Sequence, residues 1–196
     1  MKKAVKTLIS FLSVNREEAS ARSEKYMKNL EEKTPKAILL ACPQSARFLT
    51  MDRESLYTVE SYGNTVYSNE ATLDYAVRRL EIPLLCIMGH AGCSAVDRDA
   101  KIANVTDAEK ALRDVLAESL KDAPARGEKR SLYAVDRQVA AALERYNDMV
   151  KSGKLAVVGL YCDKQGNLFL TNYNGLKGKE ALSYSLPEVD PAFFLA

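Results

Sequence analysis

Residues Ile82 to Cys93 read IPLLCIMGHAGC. The first seven form a nearly continuous apolar run, the pattern of a strand buried on both faces of a parallel sheet. Gly89 is expected to end that strand. His90 and Cys93 follow it three residues apart, and Gly92 between them permits the tight backbone curl that would aim imidazole and thiol at one point. A second apolar run, Lys36 to Ala41 (KAILLA), is followed at once by Cys42. In open α/β sheets ligands gather at the carboxyl ends of the strands, so two strand ends here carry three metal-binding side chains. Two soft sulfurs and one imidazole suit zinc and leave a fourth position open for water. The H-x-x-C spacing alone is a weak signal, since a loop histidine is more often structural, and the placement of Cys42 is what brings the metal reading level with it.

The rest of the chain alternates helical and strand patterns. Leu56 to Glu60 is a further strand. Ser68 or Asn69 can cap a helix in which Leu73, Ala76, Val77 and Leu80 share one face. Thr106-Asp107-Ala108-Glu109 is a capping box opening a helix to about Leu120. Asp122 to Arg130 reads as a loop, and Ser131 to Lys151 as a helix with Val135, Val139, Ala142, Tyr146 and Val150 on its apolar stripe and Gly153 at its end. Lys154 to Tyr161 is another strand. The Asp163 to Asn167 turn then lets Leu168 to Thr171 return antiparallel. The expected fold class is therefore α/β: a central, mainly parallel β-sheet with an antiparallel edge strand, flanked by helices. A single domain over residues 1–196 is expected. Val5, Leu8, Ile9 and Leu12 at helical spacing predict a helical N-terminal arm over about 1–32.

Composition narrows the function. The chain has 196 residues, 47% of them hydrophobic, with a formal charge of +2, an ordinary balance for a globular protein. The densest basic run, Arg126 to Arg130, is short and interrupted by Glu128; it reads as a solvated loop, so no nucleic-acid partner is expected. No apolar run is long enough to span a bilayer, and Lys6 interrupts the one that faintly imitates a leader. A cytoplasmic location is expected. The four cysteines are too few for a disulfide framework. Cys86 and Cys162 fall inside strand patterns and read as core residues. His90 is the single histidine, which excludes any mechanism needing two.

Leu73-Asp74-Tyr75-Ala76-Val77, followed by Ile87-Met88-Gly89-His90-Ala91-Gly92-Cys93-Ser94-Ala95-Val96, resembles the motif of the β-class carbonic anhydrases. Cys42-Pro43-Gln44-Ser45 lies where that family has C-x-D-S-R. Gly63-Asn64 is similar to the end of its R-N-A-G-N segment, and Gly159 to Asp163 with Gly166 resemble its last parallel strand and following turn. The resemblance spans roughly residues 5 to 172. It implies one zinc ion held by Cys42, His90 and Cys93. It also implies reversible hydration of carbon dioxide to bicarbonate by zinc-bound hydroxide, and a homodimer or higher oligomer with the N-terminal helix on the partner. Tyr62, Gly63 and Gly92 are then expected to line the place of the substrate.

The departures fall beside the metal. Gln44 stands where the family has an aspartate that accepts a hydrogen bond from the zinc hydroxide, and Ala46 where it has the arginine that orients that aspartate. Arg47 comes one residue late. Gln44 and Arg47 are thus the candidate catalytic residues by position, with the acid missing. A neutral carboxamide can accept a hydrogen bond but cannot ionise. Glu60, Ser61 and Tyr62 replace the family's R-N-A, and Tyr62 is far larger than alanine. A weak or altered hydratase is the expectation. The alternatives are a related hydrolase of another heterocumulene such as carbonyl sulfide or carbon disulfide, a non-catalytic zinc-containing relative, and an α/β protein with buried cysteines and no metal. At the open metal position a water or small anion is expected, with Gln44 near it and Arg47 turned away.

Overall fold

The computed structural model describes residues 35–45, 55–96, 106–124 and 127–177, all within one unit of the chain, Pro35–Ala196. The expected helical arm over 1–32 lies outside these residues, as does Arg47. Among the described residues six strands form one sheet: β1 (Ala37–Ala41), β2 (Leu56–Glu60), β3 (Leu84–His90), β4 (Ala156–Cys162), β5 (Leu168–Tyr173) and β6 (Leu176–Lys177). Their order is β2-β1-β3-β4-β5-β6. The first four are parallel, and β5 and β6 close the edge antiparallel, as the turn chemistry after Cys162 predicts. Strand β1 thus has β2 on one side and β3 on the other. The connections diverge between β1 and β3, and this switch point opens a crevice at their carboxyl ends.

Helix α1 (Glu70–Asp74) runs into a π-helical turn over Tyr75–Arg79, α2 covers Asp107–Ser119, α3 covers Glu128–Arg145 and α4 covers Asn147–Lys151. Ile38, Leu40, Leu85, Ile87 and Val157 on one face of the sheet pack with Leu73, Ala76, Val77, Val135, Val139 and Ala142 of the helices. Burying such side chains contributes roughly 1.5–3 kcal/mol each before the entropy of ordering is counted. The opposite face carries its own buried cluster of Ala37, Leu39, Ala41, Cys86, Met88 and Val158. Burial of the central strands on both faces explains their uninterrupted apolar sequence. Among the described residues no helix is long and apolar enough to cross a membrane.

Several local expectations change. Gly89 does not end its strand, which continues to His90. A Cβ at Gly89 would lie 2.4 Å from Val135 Cγ2, so the glycine is there to let α3 approach the sheet. The long helix begins at Glu128 and breaks at Tyr146, whose φ of −110° and ψ of 25° are not helical. There the buried Tyr146 hydroxyl donates to Asp74 at 3.0 Å, while Arg145 clasps the same carboxylate at 2.9 and 2.6 Å. Asn69 begins α1 without a side-chain cap; its amide donates instead to the Thr65 carbonyl at 2.7 Å. The capping box at Thr106 and Glu109 is present in both directions.

The reading of Arg126 to Arg130 as a solvated loop is corrected at its last residue. Arg130 lies in the first turn of α3 and is 3% exposed. Its guanidinium donates to the carbonyls of Val96 (2.7 Å), Leu120 (3.4 Å) and Pro124 (3.2 Å). The rigid fork of arginine suits several fixed acceptors at once.

Candidate metal centre

Cys42 is the first residue after β1, His90 the last of β3, and Cys93 sits in the turn that follows. Register sets the first two side by side, since Ala41 pairs with Met88 across the β1–β3 ladder. The two sulfurs and an imidazole nitrogen all lie within 4.8 Å of one another, and each residue is 5% exposed. Gly92, exposed and with φ of 68°, makes the turn that brings Cys93 back toward His90. The structure therefore brings together the three side chains that the sequence singles out.

The histidine is oriented for a metal. Its Nδ1 lies 3.0 Å from the Ala91 carbonyl oxygen. A carbonyl can only accept, so Nδ1 carries the proton and Nε2 keeps its lone pair. That Nε2 is buried and has no hydrogen-bond partner. An orphaned buried acceptor facing two sulfurs is what removal of an ion from a Cys₂His site leaves behind. The donor set thus fits a soft or borderline divalent cation, with zinc the natural one.

The protein also prepares the sulfurs. The Cys42 thiol is lowered to about 4, first because Cys93 donates a hydrogen bond to it, and further by His90 and the backbone N–H groups of Gln44 and Gly63; burial opposes the shift. Cys93 is raised because it holds the proton shared with Cys42, and burial adds to this, while the N–H groups of Ala95 and Val96 work the other way. Burial disfavours a charged His90, yet the nearby Cys42 sulfur and the Ala91 carbonyl hold it above its ordinary range. The three groups behave as one coupled unit ready to exchange protons for a cation.

The two turns beneath the sulfurs are built from specific contacts. Ser45 clamps the Cys42 carbonyl through both its N–H (2.8 Å) and its hydroxyl (2.9 Å). On the other side, Tyr62, Gly63 and Asn64 form a 3-10 turn in which Gly63 has φ of 70° and Asn64 φ of 46°. A Cβ on Gly63 would meet Leu116 Cδ1 at 2.7 Å. Behind Cys93, the Val96 carbonyl is the one held by Arg130. Sequence reasoning missed Arg130; the signal was its spacing with Ala134 and Gln138, which continues the buried stripe of α3 by one turn.

The remaining candidates separate. Tyr62 packs against the cluster of Cys42, Cys93, Ala95 and Leu116. Gly63 is buried, whereas Gln44 is exposed and reaches Cys42 through its backbone N–H. Arg47 lies outside the described residues. A cavity of about 360 Å³ opens beside the centre, lined by Gly92, Cys93, Arg130, Ser131, Tyr161 and Lys164 among others. Cys86 and Cys162 are buried in the sheet as expected, and burial pushes the Cys86 thiol up to about 12.

Comparison with known proteins gives a consistent answer. The β-carbonic anhydrase CcaA superposes with a TM-score of 0.70 at 17% identity, covering 87% of this chain and 88% of that one. The Coccomyxa β-carbonic anhydrase, solved with acetazolamide, gives 0.69 at 18% identity over 89% and 90%. A tetrameric β-carbonic anhydrase of Sordaria macrospora gives 0.62 at 18% identity over 84% and 96%. At these identities the likeness concerns the fold. No curated protein matches the sequence. A family model described as carbonic anhydrase matches residues 41–168, well over half the chain and a span that includes all three metal-binding side chains. With that match, a parallel sheet shared along nearly its whole length and a Cys-His-Cys group at its switch point, the chain belongs to the β-carbonic anhydrase family.

Proposed function

We propose that this chain is a zinc-dependent lyase that interconverts carbon dioxide and bicarbonate, weakly compared with relatives that keep the acidic residue at position 44. The observation that carries the reading is the convergence of Cys42, His90 and Cys93, with the bare Nε2 of His90 turned toward the two sulfurs. These residues would hold one zinc ion and leave one position open. When bound, zinc supplies a Lewis acid that makes hydroxide available near neutral pH.

The chain's own residues tune that chemistry. Four backbone N–H groups, from Gln44, Gly63, Ala95 and Val96, share the negative charge of the sulfurs. With a cation bound, this would lower the donation of the two thiolates and leave the cation more electrophilic. Ala91 fixes the tautomer of His90. The only histidine is thereby used as a ligand, so proton export falls to buffer or to water chains. Tyr62, Gly63 and Gly92 are assigned to the walls around the substrate. Gln44 stands at the sequence position of the family's aspartate and Ala46 at that of its arginine, with Arg47 one residue late, and a neutral carboxamide cannot orient a hydroxide as a carboxylate does. Losing one orienting group commonly costs about 10² to 10³ in rate.

Homo-oligomer formation is part of the proposal, supported by the tetrameric state of the Sordaria macrospora protein. A reducing, cytoplasmic compartment is supported by four buried cysteines that are all unpaired.

Stopped-flow hydration of carbon dioxide on protein verified to hold one zinc per chain tests the reading. A slow rate above buffer is expected, rising when Gln44→Asp and Ala46→Arg are introduced together. A rate equal to buffer in both proteins overturns it and leaves a non-catalytic zinc protein.

A further inference from the structure

Among the described residues, three buried side-chain polar atoms have no hydrogen-bond partner: His90 Nε2, Tyr62 Oη and Thr171 Oγ1. Buried donors and acceptors are nearly always satisfied, so each orphan calls for a partner that the chain itself does not supply. The cation accounts for His90 Nε2. Tyr62 belongs to the same place. Its ring packs on the cluster that contains both Cys42 and Cys93. The same short turn that carries it delivers the Gly63 N–H to the Cys42 sulfur, and the turn is fixed by the Ser61 N–H on the Ala41 carbonyl (2.9 Å) and the Asn64 N–H on the Ser61 carbonyl (3.0 Å). Two of the three orphans thus belong to residues that border Cys42 and Cys93, one an acceptor and the other a hydroxyl.

A phenol can donate to an oxygen without carrying a charge, and Tyr62 is the phenol of this cluster whose hydroxyl is buried without a hydrogen-bond partner. The carboxamide of Gln44, which stands where an acid is expected, belongs to an exposed residue. We propose that the Tyr62 hydroxyl is the hydrogen-bond donor this site offers to a small oxyanion held at the open position between Cys42, His90 and Cys93, with bicarbonate as the ligand. The inference rests on the metal reading above and deepens it. A neutral donor at this point strengthens the hold on a bound oxyanion but cannot accept a proton from water. The site is thereby biased toward retaining the anion, in keeping with a slow hydratase.

The test uses Tyr62→Phe, which removes one oxygen and keeps the ring. Both proteins are loaded with cobalt(II), and thiolate-to-cobalt absorption reports ligation by the cysteines independently of turnover. Bicarbonate is titrated against the cobalt bands. Expected are equal cobalt content and equal thiolate bands in the two proteins, with bicarbonate binding weakened about tenfold in Tyr62→Phe. The metal-free variant is expected to unfold at the same or a higher denaturant midpoint, because the lost hydroxyl has no partner there. Equal bicarbonate affinity in the two cobalt proteins, or no bicarbonate binding by either, overturns the inference and leaves the metal reading intact. A lower midpoint of the metal-free variant also overturns it, since the hydroxyl then has a partner within the chain. Absence of thiolate bands in the unmutated protein defeats the metal reading, and the inference with it.

Discussion

The side-chain amide of Asn64 donates to the carbonyl of Met88 at 2.9 Å, deep in the protein. This bond ties the turn beneath the Cys42 sulfur to the strand that ends in His90. It therefore sets the spacing of two metal-binding side chains that belong to different strands.

Removing it has a predicted cost on two scales. Asn64→Ala leaves the Met88 carbonyl without this partner and places alanine at a φ of 46°, where asparagine is better tolerated. A stability loss of about 1–3 kcal/mol is expected from denaturant unfolding. Chelator competition should show zinc affinity reduced by about 10- to 100-fold, as for other groups that orient metal ligands.

Gly63 presents a steric and a conformational constraint that can be told apart. Gly63→Ala puts a methyl 2.7 Å from Leu116 Cδ1 and also forces a left-handed φ of 70°. Adding Leu116→Ala should relieve the contact but not the backbone, which costs roughly 1–2 kcal/mol for a non-glycine residue. The double-mutant cycle in thermal or chemical unfolding should therefore show partial rescue. Full additivity of the two losses would refute the steric part.

Arg130 is predicted to matter more than its place in a basic run suggests. Arg130→Met deletes charge-assisted bonds to the carbonyls of Val96, Leu120 and Pro124. A loss of at least about 2 kcal/mol is expected in unfolding experiments. Arg130→Lys should restore little of it, since an ammonium lacks the rigid fork. Zinc affinity should fall as well, because the released Val96 belongs to the turn whose N–H groups support the Cys93 sulfur.

The Asp74 carboxylate should make stability depend on acid pH. Arg145 first, and then Tyr146, hold its pKa below the ordinary value of 3.8, against the effect of burial. A group depressed in the folded state contributes fully above its unfolded pKa, and the contribution fades as pH falls through the folded value. Unfolding free energy should thus drop below about pH 4 with a slope that Asp74→Asn removes. The effect is modest because the Asp74 side chain is 36% exposed and partly screened by solvent. An unchanged slope in the variant would assign the acid sensitivity elsewhere.

The parts of this molecule legible in the sequence are those whose causes lie close together along the chain. Apolar runs predict the strands, and the donors that end two of them predict the centre, because both facts reside in the dozen residues from Ile82 to Cys93 and in the few around Cys42. The capping box at Thr106 is likewise a local pattern. The misreadings have distant causes. Gly89 looks like a strand terminator until Val135, on a helix far along the chain, is seen to need the space. The stripe through Tyr146 continues the helical period, and only the carboxylate of Asp74 explains why the helix breaks there. Arg130 looks solvated until three carbonyls from separate segments are found around it. The Tyr62 hydroxyl has no sequence signal at all, since its isolation is a property of the folded interior.

The switch point between β1 and β3 has one more consequence. A denatured chain still owns the thiols of Cys42 and Cys93 and the imidazole of His90, but scattered, and only the assembled sheet presents them together as a chelate. Any ion that prefers the chelate draws the folding equilibrium toward the native state, by about 1.4 kcal/mol for each tenfold rise in free metal above its Kd. Scarcity of a cation that fits the chelate would then be felt first as a softer, shorter-lived chain.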